Sequence, residues 1–353
     1  MLLCAEYVIP VTSDPIENGA VLVRDGKIAD IGPAVLLRAR YAEEEVREFK
    51  QAVLMPGLVN VHSHVEYSVL RGMVADLPYP QWVGKVTAMA DVLDAATLYD
   101  SALVGGLEML VSGITCVGTV TQSESTVRAM GDLGLRSVVY REVGAVDARR
   151  VDFAMRQAVT DIERWQENVD AERMNIGIAA APVYDCHPKV LKRVAEYAGD
   201  TLPVALHIAA SYEEYEFIRY GRNPRGVESM MRRGYVEVPP WLPTGVTPVN
   251  YALNWGAFDA GNVMAVHAVH VSDEDILALR NRNVAIGHCP RTNSSLGMGI
   301  APLNEYLKAG LRIGLGTDSP AATEAGDIFA EMRTGMQLQR ATSPQNFLVS
   351  DTM

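Results

Sequence analysis

Residues 56–64 read Pro-Gly-Leu-Val-Asn-Val-His-Ser-His, an apolar run of strand length that ends in two histidines. In a β-strand, side chains two positions apart point to the same face of the sheet. His62 and His64 therefore share one face at the end of this strand. Such a pair is only a weak indication of a metal site when it stands alone, so the rest of the chain decides its meaning.

Seven further apolar runs of strand length follow, separated by longer amphipathic stretches. Nearly continuous apolar strands, each followed by a helical segment, are typical of a parallel sheet covered by helices. Eight such units in roughly 270 residues predict an α/β fold, the (β/α)₈ or TIM barrel. The predicted strands are Leu58 to His62, Thr115 to Val120, Ser137 to Val143, Ile176 to Val183, Val204 to Ile208, Val263 to Val269, Val284 to His288 and Ile313 to Gly316.

Helical periodicity supports the segments between these strands. Over residues 98–111, the apolar side chains Leu103, Leu107, Leu110 and Val111 share one helical face. Two pairs with the spacing of a capping box predict helix starts. These pairs are Ser272 with Asp275 and Ser211 with Glu214.

The first 52 residues consist mostly of short strand-like runs and are predicted to form a small β domain. The barrel is predicted to occupy residues 53–353. The Asp25-Gly26 turn between two apolar runs predicts a hairpin. Residues 35–46 are the helix candidate of this part. Residues 224–248 form a long segment rich in Pro and Gly between the fifth and sixth barrel strands. This segment could cover a substrate or be a surface excursion without function.

Composition excludes several classes of partner. The chain of 353 residues carries a formal net charge of −12 and has no basic tract. Nucleic acids and anionic membranes are disfavoured, because neutralising phosphates requires clustered Lys and Arg. No apolar run has the length of a membrane-spanning helix, and the N-terminus lacks a secretory signal pattern. The four dispersed cysteines predict reduced thiols in a cytoplasmic protein.

Four histidines and one aspartate fall at the ends of predicted barrel strands: His62, His207, His267, His288 and Asp318. Active sites of this fold form at the carboxyl ends of the strands, so these side chains are predicted to meet there. Imidazoles and a carboxylate suit zinc or iron with an open position for water. Such a metal lowers the pKa of bound water toward neutrality. Asp318 could both bind the metal and take the proton of the attacking water.

These motifs also resemble a known family, the amidohydrolase superfamily, and within it the nucleoside and nucleobase deaminase branch. The resemblance rests on residues 56–64, His207, His267, the run 288–293 (His-Cys-Pro-Arg-Thr-Asn) and the run 316–319 (Gly-Thr-Asp-Ser), and it covers essentially the whole chain.

The resemblance implies a single divalent metal, with zinc favoured over iron, bound by His62, His64, His207 and Asp318. It also implies that His267 contacts the bound water or the reacting group of the substrate. Residues 1 to about 52 would form half of a small β-sandwich. Because family members usually continue beyond the position of Met353, this sandwich is expected to be incomplete.

One departure from the family pattern concerns the general acid. The family has His-x-x-Glu at the fifth strand, but this chain reads His207-Ile208-Ala209-Ala210. Alanine cannot shuttle a proton. Either Glu213 or Glu214 substitutes for the missing carboxylate, or catalysis is impaired.

Five further residues are predicted to bind substrate, each with a structural alternative. Glu66 could contact a substrate hydroxyl or serve as a supporting carboxylate. Trp82 could stack on a base or pack a helix, and Arg141 could meet an acidic group or form an ion pair. His187 could bind substrate or be a structural histidine, and His288 could line the pocket or support the Asp318 loop.

The predicted activity is hydrolytic deamination of a small-molecule aminopurine nucleoside with release of ammonia. Among substrates of similar proteins, 6-aminodeoxyfutalosine is favoured over methylthioadenosine and S-adenosylhomocysteine. A triazine-type hydrolase is the alternative enzyme. A barrel that binds ligand without turnover is the alternative from another class, and a homo-oligomer is left open.

Overall fold

The computed structural model describes residues 1–222 and 243–342. The chain separates into two compact units, Met1–Leu58 and Val59–Met353, whereas the sequence placed the boundary between residues 52 and 53. Most of the predicted loop 224–248 lies outside the described residues. Within the described ranges, none of the helices is long and apolar enough to cross a membrane.

The first unit is a four-stranded sheet in the order β3-β2-β1-β4. Its strands are β1 (Leu2–Val8), β2 (Ile16–Arg24), β3 (Lys27–Pro33) and β4 (Val46–Leu54). The predicted hairpin is confirmed, since β2 and β3 pair antiparallel across Asp25 and Gly26, which have φ angles of 50° and 71°. Helix α1 (Ala34–Arg40) is shorter than predicted and buries Leu37 against the sheet.

The second unit is the predicted barrel, and all eight predicted strands are confirmed. The strands are β5 (Leu58–Asn60), β6 (Ile114–Thr121), β7 (Arg136–Val143), β8 (Met174–Ala180), β9 (Val204–Ile208), β10 (Val263–His267), β11 (Ala285–His288) and β12 (Ile313–Leu315). Neighbours along the chain are neighbours in the sheet, and those from β6 to β12 pair in parallel. The ring closes where the Val61 amide donates to the Leu315 carbonyl at 2.9 Å.

Helices alternate with these strands. In the described part of the unit they are α2 (Tyr79–Ala90), α3 (Ala95–Val111), α4 (Glu124–Asp132), α5 (Val151–Asn168), α6 (Pro188–Ala198), α7 (Tyr212–Tyr220), α8 (Pro248–Asn254), α9 (Asp273–Asn281), α10 (Pro290–Ser295), α11 (Leu303–Ala309), α12 (Pro320–Thr323) and α13 (Ile328–Thr342). Two 3₁₀ turns, Val65–Leu70 and Ala148–Arg150, follow β5 and β7.

Helix α3 buries a face of small residues together with Met109, and not the predicted apolar face. Leu107, Leu110 and Val111 are exposed, whereas Gly105 and Gly106 are buried. A Cβ atom at Gly105 would lie 2.3 Å from the Ser68 hydroxyl oxygen. The close approach of the neighbouring backbone therefore decides which face of this helix is buried.

The two predicted capping boxes differ. Ser272 and Asp275 form the complete reciprocal box at the start of α9. Ser211 caps α7 by accepting from the Glu214 amide, but the Glu214 side chain does not return the bond to the cap. Its two oxygens accept from the amides of Ala209 and Ala210, at 2.7 and 2.9 Å. The predicted helix start at Ser211 is therefore confirmed, but the reciprocal bond of the capping box is absent. The Glu214 carboxylate instead binds the loop after β9.

Candidate metal centre and substrate cavity

The four predicted metal ligands converge at the carboxyl ends of β5, β9 and β12. His207 Nε2 lies 3.1 Å from His62 Nε2 and 3.4 Å from His64 Nε2. Asp318 Oδ1 lies 3.5 and 3.7 Å from the same two nitrogens of His62 and His64. Tetrahedral ligands at bond lengths of about 2.0–2.1 Å lie about 3.3 Å from one another. The three histidine nitrogens are therefore grouped as one small divalent cation requires, and the Asp318 oxygen lies at a similar distance from two of them.

Backbone contacts hold Asp318 in this position. The Asp318 amide donates to the His62 carbonyl at 3.0 Å, and Ser63 and Asp318 form a parallel bridge. Asp318 has a φ of 56°, a left-handed conformation that is costly for residues other than glycine. Asn60, to which the sequence assigned no role, bonds Thr317 through its side-chain oxygen and nitrogen, at 3.0 and 2.7 Å. This buried amide fixes the turn that presents the carboxylate.

The protonation states also suit a metal. Burial lowers the pKa of His62 to about 4 and lowers that of His207 well below its usual value. Burial alone would raise the pKa of the Asp318 carboxyl, but the nearby imidazoles of His62, His267 and His64 outweigh it and hold that pKa well below its usual range. Neutral imidazole at His62 and His207 and an ionised carboxylate are the forms that bind zinc or iron.

His267, at the end of β10, lies beside the centre. Its Nε2 is 3.9 Å from Asp318 Oδ2, and its Nδ1 is 2.9 Å from the Asn293 side-chain oxygen. A carboxamide oxygen only accepts hydrogen bonds, so Nδ1 carries the proton. The Nε2 lone pair is thereby left facing Asp318. Asn293 was part of the quoted motif, but sequence analysis assigned it no role.

The comparisons with known proteins agree with this geometry. The amidohydrolase family profile matches residues 53–351. The chain belongs to the amidohydrolase family. The resemblance noted from its motifs is thereby confirmed, as is the prediction of an amidohydrolase-type enzyme.

Several proteins that are similar to this amidohydrolase in sequence or in fold are deaminases or hydrolases by name. A 5-methylthioadenosine/S-adenosylhomocysteine deaminase of Desulforudis audaxviator is 30% identical over 342 residues, covering 96% of this chain and 74% of the relative. Aminofutalosine deaminase of Helicobacter pylori, in complex with methylthio-coformycin, has a TM-score of 0.81 at 19% identity, covering 96% of this chain and 81% of that one. Atrazine chlorohydrolase of Arthrobacter aurescens TC1, complexed with zinc, has a TM-score of 0.79 at 21% identity, covering 98% and 77%.

A cavity of about 800 Å³ opens onto the centre of this amidohydrolase, and His64, His207, His267 and Asp318 form part of its lining. Two of the predicted substrate residues, Glu66 and Trp82, line it as well. Tyr67 also faces the cavity and stacks on His64, with ring centroids 5.8 Å apart. Predicted metal ligands and predicted substrate contacts therefore share one space.

The other three predicted substrate residues are not among the described side chains that line this cavity. Arg141 forms an ion pair with Asp161, at 2.9 Å. His187 caps α6, where its Nδ1 accepts from the Lys189 amide at 3.2 Å. His288 is buried, burial lowers its pKa to about 4, and neither of its ring nitrogens has a hydrogen-bond partner among the described residues. For Arg141 and His187, the arrangement favours the structural alternatives.

The position of the missing acid is apolar in this structure. Ala210 is buried in a cluster that includes Trp82, Leu70 and Met298. Glu214 is also buried, and burial raises its pKa to about 7. Because both of its oxygens bond the backbone after β9, Glu214 supports the loop that follows His207.

Proposed function

We propose that this amidohydrolase is a zinc-dependent hydrolytic deaminase of an aminopurine nucleoside. The observation that carries the proposal is the convergence of His62, His64, His207 and Asp318 beside His267, at one end of a cavity of about 800 Å³. That volume is in the range of small-molecule sites. The deaminase from Desulforudis audaxviator, matched over 96% of this chain, supports the nucleoside class.

The proposed reaction replaces the amino group of the purine with oxygen from water and releases ammonia. When bound, the metal lowers the pKa of a water molecule, so that a nucleophile is available at neutral pH. Three histidines and Asp318 would hold the metal. Asp318 takes a proton from the water as it attacks the ring carbon, and delivers it to the departing amine. His267, oriented by Asn293, offers its Nε2 to the reacting group.

A binding protein without turnover is the second candidate function. The observation in its favour is that position 210 is an alanine and that both oxygens of Glu214 accept from backbone amides of the loop after β9. In this case, the protein would bind zinc and nucleosides but release no ammonia.

A screen for released ammonia or chloride distinguishes these functions. Zinc-loaded protein is incubated with methylthioadenosine, S-adenosylhomocysteine, adenosine and 6-aminodeoxyfutalosine, and ammonia is measured. Ammonia from at least one nucleoside, lost on zinc removal, is the expected result. Binding of the nucleosides without ammonia would support the second candidate. Chloride release from atrazine, with no ammonia from any nucleoside, would instead favour the triazine-type hydrolase.

A further inference from the structure

One wall of the cavity is strongly acidic. It is built by the 3₁₀ turn after β5, by the end of α2 and by the ends of β7 and β8. We call it the acidic wall, and it consists of Glu66, Asp91, Glu142, Asp147 and Asp185. Within the described ranges, Arg150 is the one lysine or arginine that lines the same cavity. Asp147 forms an ion pair with Arg149.

Glu66 shows that this wall is built to meet a ligand. Its side chain is only 3% exposed, and its Oε2 has no hydrogen-bond partner among the described residues. A buried carboxylate oxygen without a partner is costly, and native proteins seldom leave one unsatisfied. A donor group of a ligand in the cavity would satisfy it.

Glu142 contributes a second carboxylate to the lining of the same cavity. It lies near the end of β7, where its Oε2 accepts from the Gln122 side-chain amide at 3.0 Å. Glu66, Tyr67 and Glu142 line the same cavity, so two carboxyl groups face one space, where like charges repel. A ligand carboxylate entering this part of the cavity would add a third negative charge, whereas an amine or hydroxyl would relieve the repulsion.

The reacting carbon must lie beside Asp318 and His267, so the rest of the ligand occupies the remainder of the cavity. We infer that Glu142 is a specificity-determining residue, which favours nucleosides whose substituents are neutral or cationic over nucleosides that carry a net negative charge. This inference rests on the proposed function for the nucleoside itself. It favours methylthioadenosine, which is neutral, over 6-aminodeoxyfutalosine, which carries a carboxylate.

Three nucleosides of similar size test the inference: 5′-amino-5′-deoxyadenosine, adenosine and adenosine 5′-carboxylic acid. Dissociation constants are measured by calorimetry on zinc-loaded protein, and kcat/KM by ammonia release. We expect the cationic ligand to bind at least about tenfold more tightly than the anionic one, since unit charges within the cavity interact at partly screened strength. Glu142→Gln keeps an oxygen for Gln122 and should reduce this ratio to within about threefold.

Glu167→Gln is the matched control, because Glu167 is exposed near the end of α5 and its loss changes the net charge equally. It should leave the ratio unchanged. Equal binding of anion and cation by the wild type, or an unchanged ratio in Glu142→Gln, overturns the inference. If the three ligands bind in the expected order of affinity but release no ammonia, the proposed function is rejected and the inference about charge stands. If ammonia is released but the three affinities are equal, the inference about charge is rejected and the proposed function stands. Failure of all three ligands to bind would reject both.

Discussion

Replacing Asp318 with asparagine should weaken zinc binding while leaving the barrel folded. Asp318 is the one carboxylate among the four predicted ligands, and its Oδ1 lies 3.5 Å from His62 Nε2 and 3.7 Å from His64 Nε2. Asparagine has the same shape and keeps an oxygen at the position that faces the metal, but it removes the negative charge. Since the surrounding imidazoles hold the pKa of the Asp318 carboxyl well below its usual range, the wild type brings this charge at every working pH.

The size of the effect follows from the ligand count. Structural zinc sites bind with about 10–16 kcal/mol in total, so each of four ligands contributes about 2.5–4 kcal/mol. Because about 1.4 kcal/mol is a tenfold change, loss of a whole ligand would raise the zinc dissociation constant by about 10²–10³-fold, and asparagine, which keeps an oxygen, should raise it by at least about tenfold. Ammonia release at limiting zinc should fall at least as far, since Asp318 is also the proposed base.

Competition with a chromophoric chelator measures the zinc dissociation constant, and circular dichroism confirms the fold. Asp100→Asn is the matched control, because Asp100 is exposed on α3 and the same charge is lost there. His64→Gln provides a second test of the ligand set and should weaken zinc binding to a similar degree. A zinc affinity of Asp318→Asn within about threefold of wild type would refute the assignment of Asp318 as a ligand.

Three further predictions concern the surrounding structure. Burial raises the pKa of Glu331 to about 8 from 4.5, so its contribution to stability is present below pH 4.5 and is lost as the pH rises to 8. Glu331→Gln should remove this loss of stability, which amounts to about 1 kcal/mol per pH unit between pH 4.5 and 8. The measurement is the thermal midpoint of unfolding as a function of pH, and parallel curves for the variant and the wild type would contradict the prediction. Ala210→Glu should raise turnover by about 10²–10⁴-fold if a general acid is missing, whereas Ala210→Gln, of equal length, should not. Equal rates would show that the position takes no part in proton transfer. Gly118→Ala would place a Cβ 2.2 Å from the carbonyl oxygen of Val61, just after β5, and should cost about 1–3 kcal/mol, whereas Gly84→Ala, with nothing within 4 Å, should be neutral or stabilising. Equal unfolding midpoints for these two variants would show that the barrel backbone shifts at Gly118 to accommodate the added methyl group.

The barrel could be predicted from the sequence because its strands are short, apolar and regularly separated. Local pattern alone places β9 at Val204–Ile208, the same bounds that the structure has. The hairpin at Asp25-Gly26 is equally local, since its turn residues adopt positive φ angles at low cost. The buried face of helix α3 could not be predicted in this way. It depends on the close approach of the 3₁₀ turn Val65–Leu70 to Gly105, which the periodicity of apolar residues does not encode.

The sequence by itself determined the strand order and the set of histidines and aspartate placed at strand ends, because a parallel barrel brings all carboxyl ends of its strands to one rim. Only the tertiary structure decided which polar residues share the cavity. Arg141 was a candidate for substrate binding on sequence, but the fold sets it against Asp161, whereas Glu142, its neighbour, faces the cavity. Adjacent residues of a strand point to opposite faces, so these roles depend on what the rest of the chain packs against each face.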